Sequence, residues 1–147
     1  MLQFNTNMMR AAMKKKVEWF LYTSSIGVYP PSELFMEDDA WKGFPSKLDW
    51  FGGWAKRIGE LQANAYSEQN GKSNITIVRP ANVYGEYDNF DLESSMVIPS
   101  LIRKAYESEF ISVWGDGSQI RDFIYAGDVA RAMLHLVERK ITEPVKI

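Results

Sequence analysis

Val17-Glu18-Trp19-Phe20-Leu21-Tyr22-Thr23 is a β-rich run, mostly apolar and without polar alternation. That is the pattern of a strand buried on both faces of a parallel sheet. It ends in hydroxyls at Ser24-Ser25 and continues through Ile26-Gly27-Val28-Tyr29. A second such run, Asn74-Ile75-Thr76-Ile77-Val78-Arg79, is stopped by Pro80. Between the two lies an amphipathic segment from about residue 53 to 69, with Ile58, Leu61, Ala65 and Gln62 on one side and Asn70-Gly71 as its stop. Helix alternating with apolar strand predicts an α/β fold with a largely parallel sheet.

The flanking chain agrees with that class. Residues 3–15 read as a helix, with Met8, Met9, Ala12 and Met13 as a partial apolar stripe and Lys14-Lys15-Lys16 at the negative end of its dipole. Pro30 to Asp49 is rich in turn formers, and a connection this long is usually functional or carries short helical turns. Met96 to Glu107 reads as a helix with Pro99 in its first turn, where a missing N–H costs little. Phe110 to Trp114 is expected as a short strand and Gly115-Asp116-Gly117-Ser118 as a turn. Asp128 is expected to cap a helix carrying Val129, Ala132, Met133, Leu136 and Val137, and Val145 to Ile147 begins another strand.

Composition narrows the function classes. The 147 residues are 46% hydrophobic and 24% charged, ordinary for a globular domain of this size. A formal charge of −2 argues against nucleic acid or an anionic membrane surface as partner, since such footprints are basic. Zero cysteines exclude disulfides and thiolate chemistry, and with a single histidine no zinc site is expected. No apolar run approaches the ~20 residues that span a bilayer. The start, Met1-Leu2-Gln3-Phe4-Asn5, lacks the form of a signal peptide, so a cytoplasmic location is expected. The chain opens inside a helix of mid-domain character, closes as a strand begins, and contains no Gly-x-Gly-x-x-Gly loop. The expectation is part of a longer protein whose first βαβ unit, the usual dinucleotide site, lies elsewhere.

Four motifs in register carry a resemblance. They are Ser24-Ser25-Ile26-Gly27-Val28-Tyr29, Trp54-Ala55-Lys56-Arg57, Arg79-Pro80-Ala81-Asn82-Val83-Tyr84-Gly85, and the run from Trp114 to Ile124. Together they resemble the extended short-chain dehydrogenase/reductase family of NAD-dependent epimerases and dehydratases. Asp88-Asn89-Phe90, Val97-Ile98-Pro99 and Val113-Trp114-Gly115 look most like its GDP-L-fucose synthase branch. The resemblance implies a Rossmann-like, doubly wound parallel sheet lacking its N-terminal cofactor-binding half. Residues 1–85 would be the C-terminal part of the NAD(P)-binding domain. Residues 86–147 would be part of a small substrate-binding portion with returning Rossmann elements.

In that family a tyrosine and a lysine four residues later, with an upstream Ser or Thr, transfer the proton while NAD or NADP carries the hydride. By position Ser25 matches the Ser/Thr and Lys56 the lysine that holds the nicotinamide ribose; the tyrosine position holds Gly52. The resemblance places Lys56, Pro80, Asn82 and Val83 at the cofactor and Ser25, Asn82, Lys104, Trp114 and Arg121 at a nucleotide-diphosphate sugar, with Arg121 as a diphosphate clamp. Each has a plainer alternative. Ser25 could cap backbone, Lys56 could be solvated, Asn82 could stabilise its turn, and Arg121 could pair with Asp122 or Asp128. Lys104 could be an exposed helix lysine and Trp114 a core residue. His135 is remote from these motifs, and Tyr29 is expected to pack. The branch's epimerising cysteine and histidine positions hold Gly27 and Met96. Helices 3–15 and 54–69 would pair across a two-fold in a homodimer. Two functions stand at this point: a nucleotide-sugar epimerase or reductase, and a non-catalytic nucleotide-sugar-binding or partner subunit of the same fold, which Gly52 favours.

Overall fold

The computed structural model describes residues 1–71 and 74–147, apart from the side chain of Asn70. Helix α1 (Leu2–Lys15) runs into strand β1 (Phe20–Thr23). A long connection with three 3-10 turns, Ile26–Val28, Glu37–Trp41 and Lys47–Asp49, leads to α2 (Trp50–Asn70) and β2 (Ile75–Arg79). Then follow β3 (Asn82–Tyr84), α3 (Val97–Glu107), β4 (Phe123–Tyr125), α4 (Ala126–Glu138) and β5 (Val145–Lys146). The chain is α/β, as the alternation of patterns predicts.

Two parallel sheets result. One has the order β1–β2–β5, with Phe20 opposite Ile75, Thr23 opposite Val78 and Val78 opposite Val145. The other pairs β3 with β4 from Asn82–Phe123 to Tyr84–Tyr125. Every residue of β2 is buried, as its unalternating sequence requires of a central parallel strand. β1 is only partly buried. Met9, Tyr22, Ala63, Ile75 and Ile77 form one core between α1, α2 and the sheet; Val28, Tyr29 and Ala40 form a second under the long connection. Tyr29 is packed as expected, stacked on Phe35 at 5.0 Å between ring centroids.

Helix ends follow their sequence signals. Lys16 closes α1 in the left-handed conformation, its amide bonding Ala12 and Met13 carbonyls, and Gly71 does the same for α2 at φ 60°. Among the described residues no helix is long and apolar enough to cross a membrane.

Four expectations are corrected. Phe110 to Trp114 forms no strand: these side chains meet solvent, Trp114 being 91% exposed, so nothing gives the run a sheet to join. Asp128 lies within the first turn of α4 rather than at its cap; Tyr125 is the cap, and the Asp128 carboxylate pairs with Arg131. β1 is not buried on both faces as its unalternating sequence predicts: Tyr22 is buried but Thr23 is exposed, in the outer strand of the β1–β2–β5 order. On α2 the side turned inward is Gly53, Arg57, Glu60 and Ala63, and the Ile58–Leu61–Ala65 side is turned out. On this inward side Glu60 is neutralised by a buried ion pair with Arg79, and Arg57 is buried beside the Trp41 and Trp54 rings.

Candidate functional site

Ser25 stands where β1 ends, in extended backbone, and its Oγ accepts the Gly27 N–H at 3.0 Å as it caps the 3-10 turn Ile26–Val28. The plainer, capping reading of Ser25 therefore holds for its acceptor side, and its O–H proton is left for a second partner. Pro80, buried just beyond β2, accepts the Ile26 N–H at 3.1 Å and so ties this turn to the neighbouring strand.

Lys56 reaches the same strand end from α2. Its Nζ donates to the Thr23 carbonyl at 2.8 Å and lies 5.9 Å from the centre of the Tyr22 ring. Half-burial disfavours the ammonium and holds its pKa below the ordinary lysine value. It borders a recess of about 420 Å³ between α1 and β1, lined by Phe4, Met8 and Met9 as well as by Phe20, Leu21 and Tyr22. An ammonium on the rim of an apolar recess, with donors beyond the one given to Thr23, suits the hydroxyls of a ribose. The residues present thus fit the nicotinamide end of a dinucleotide, and the chain's own sequence offers no glycine-rich loop for its phosphates.

The helix start that carries Gly52 is pressed against the Ser25 turn. A carbon added at Gly53 would overlap the Gly27 carbonyl oxygen and come within 2.6 Å of Pro45 Cβ, so α2 approaches this closely only with glycine there. Gly52 itself stands over Asp49, whose carboxylate occupies the space its side chain would take. Ser25, Lys56 and Gly52 are accordingly brought together, and Gly52 has no acid to contribute.

Asn82, Val83 and Arg121 meet around a separate recess of about 340 Å³, together with Ser95, Met96 and Phe123. Asn82 also performs its structural alternative: its Nδ2 donates to the Asp122 carbonyl at 2.9 Å, fixing the start of β3 beside β4. Arg121 donates to its neighbour Ile120's carbonyl at 3.1 Å. Asp128 is engaged with Arg131, so the proposed Arg121–Asp128 pair is not what holds this guanidinium. Lys104 bonds the Ser112 carbonyl at 3.1 Å from the exposed side of α3 and does not line the recess. Trp114 is neither a core residue nor a lining residue.

Sequence reasoning missed the buried scaffold beneath Ser25. Ser24 Oγ donates to Glu60 Oε1 at 2.5 Å, and Arg79 Nη1 donates to Tyr29 OH at 3.0 Å and to the Glu37 carbonyl at 2.6 Å. Arg57 is stacked between Trp41 and Trp54, 5.3 Å from each ring centre, and its Nε donates to the Val28 carbonyl at 2.7 Å. It also missed Ser95, whose Oγ is buried at the second recess without a protein partner. The available signals were a glutamate among apolar residues on one helix and an arginine closing an apolar strand.

The model of the NAD dependent epimerase/dehydratase family matches residues 1–147. The chain is 40% identical over 116 residues to dTDP-4-dehydro-6-deoxy-D-allose reductase of Streptomyces bikiniensis, covering 79% of this chain and 35% of that protein. It is 33% identical over 145 residues to GDP-L-fucose synthase of Sinorhizobium fredii, covering 93% and 46%. The crystal structure of a GDP-L-fucose synthetase from Naegleria fowleri bound to NADP superimposes with TM-score 0.89 at 27% identity, covering 99% of this chain and 50% of that one. The chain thus spans half or less of the length of these relatives. With its whole length matched, the chain belongs to the NAD dependent epimerase/dehydratase family.

Proposed function

We propose that this chain forms part of an NAD(P)-dependent reductase or epimerase of a nucleotide-diphosphate sugar, acting at a 4-keto or 4-hydroxy group. The observation that carries the reading is the Lys56–Thr23 hydrogen bond, which holds an ammonium at the strand end bearing Ser25. Lys56 would hold the nicotinamide ribose beside Pro80, and Asn82 and Val83 would lie where the cofactor meets the recess of Arg121. When bound, the nicotinamide supplies or accepts a hydride. Ser25 hydrogen-bonds the reacting sugar oxygen. Arg121, opening onto the recess with Asn82, is suited to a diphosphate because its planar fork can bind two oxygens at once. Gly27 and Met96 carry neither thiol nor imidazole, which favours reduction over 3,5-epimerisation.

On this reading residues 1–85 face the cofactor, residues 86–147 face the sugar nucleotide, and the protein is cytoplasmic. The apolar side chains left in solvent on α1 and α2 away from the Lys56 recess, Leu2, Ile58 and Leu61, support a homodimer formed by these helices. Gly52 favours a second reading, a subunit that binds sugar nucleotide without turning it over.

The test mixes the protein, at its full natural length, with NADPH and a GDP- or dTDP-linked 4-keto-6-deoxy sugar. Sugar-dependent loss of NADPH supports the enzyme. Binding of both without NADPH loss supports the second reading, and binding of neither overturns both.

A further inference from the structure

We propose that Asp49 carries the proton in the reaction proposed above, in the place left without a side chain at Gly52; the inference rests on that reading of the site. Asp49 ends the 3-10 turn Lys47–Asp49 and stands at the cap position of α2, yet its carboxylate makes no capping hydrogen bond. It is turned instead into the gap between α2 and the Ser25 turn. A carbon added at Gly52 would overlap Asp49 Oδ1 and lie 3.0 Å from Cγ and 3.2 Å from Oδ2. A carbon added at Gly27 would overlap Asp49 Oδ2 and lie 3.4 Å from Ser25 Oγ. One carboxylate therefore fills the side-chain space of two residues that have none, beside the serine hydroxyl.

The packing makes this placement specific. Gly53 against the Gly27 carbonyl brings the helix start so near the turn that the carboxylate stands where side-chain carbons at both Gly52 and Gly27 would go. Asp49 is also exposed, so a bound sugar can reach it. A side chain at position 52 would compete for the same space.

The chemistry balances with the nicotinamide as the hydride partner. In the oxidative direction an Asp49 carboxylate oxygen takes the proton of the sugar hydroxyl. The O–H electron pair becomes the second carbonyl bond, and the carbon-bound hydrogen leaves as hydride to the oxidised cofactor. Reduction is the reverse: the keto carbon gains the hydride and its oxygen gains the proton from the Asp49 carboxyl. Ser25 donates its O–H to the same oxygen throughout. A positioned proton carrier of this kind contributes roughly 10²–10⁴-fold in rate.

Three measurements on the full-length protein test it, with NADPH and dTDP- or GDP-linked 4-keto-6-deoxy sugar as probes. Asp49→Asn is expected to lower turnover by roughly 100-fold or more, while its affinity for the sugar nucleotide, measured by calorimetry without cofactor, stays within about twofold. Asp49→Ala is expected to regain turnover with added formate, and again when combined with Gly52→Tyr, because the ring then has room. The carboxyl carbon resonance of Asp49, identified by its loss in Asp49→Asn, is expected to shift when the sugar nucleotide is added, a readout that needs no turnover. An active wild type with an unimpaired Asp49→Asn, or a resonance that does not move, overturns the role of Asp49 alone. A wild type without hydride transfer overturns the reaction proposed above and this role with it.

Discussion

Glu60 on α2 and Arg79 at the end of β2 form a two-pronged ion pair, Oε1 to Nε at 2.9 Å and Oε2 to Nη2 at 2.8 Å, with side chains 2% and 1% exposed. Ser24 and Tyr29 complete its hydrogen bonds, so one buried pair ties the helix of Lys56 to the strand end of Ser25. Removing one partner leaves an uncompensated charge in the interior. Glu60→Ala is expected to lower stability by about 3–5 kcal/mol in urea unfolding; a loss under about 1 kcal/mol, the size of an ordinary surface change, would contradict the account.

Gly52 and Gly53 are adjacent but should respond differently to alanine. At Gly53 the new methyl meets the Gly27 backbone and Pro45, neither of which can swing away, so Gly53→Ala is expected to cost about 1–3 kcal/mol. At Gly52 the obstruction is the end of the Asp49 side chain, which can rotate. Gly52→Ala is therefore expected to leave stability within about 1 kcal/mol of wild type, since alanine is also the better helix former. Paired unfolding curves decide this; equal losses would contradict it.

Tyr22 gives stability an alkaline dependence. Burial, with Glu60's charge adding to it, pushes its phenol from 10.0 up to about 12, while its oxygen accepts from Asn5 Nδ2 at 3.1 Å. The folded state then keeps a proton that the unfolded chain releases above 10.0, so stability is fully present below that pH and lost as pH rises toward about 12. Tyr22→Phe should start lower, having lost its hydrogen bonds, and show a shallower fall over that window. Denaturant unfolding on both sides of pH 10 measures the difference; parallel curves for the two proteins would refute the assignment.

β2 was legible in sequence because it is apolar without alternation, and α2 because its stop at Asn70-Gly71 is a local signal; β1 shares the pattern but is only partly buried. The inward face of α2 was not legible. Glu60 is neutralised by a residue 19 positions away, a relation that hydropathy along one helix cannot contain. The run from Phe110 to Trp114 has strand composition but no neighbouring edge to join. Within the site, Ser25, Lys56 and Gly52 follow from the resemblance that the four motifs carry, as do Asn82, Val83 and Arg121, which line one recess. The placement of Asp49 is not legible in sequence, because it depends on two glycines, Gly27 and Gly52, whose missing side chains leave a shared space only in three dimensions.

On the proposed reading Lys56 marks a cofactor end and Arg121 a sugar-nucleotide end, two half-sites that single substitutions can separate. The most direct measurement is equilibrium binding of NADPH and, separately, of a GDP- or dTDP-linked sugar to full-length wild type, Lys56→Met and Arg121→Ala. The account predicts that Lys56→Met weakens NADPH by about tenfold or more, about 1.4 kcal/mol, and spares the sugar nucleotide, whereas Arg121→Ala does the opposite. Unchanged NADPH affinity in Lys56→Met, or equal losses of both ligands in both variants, would contradict it.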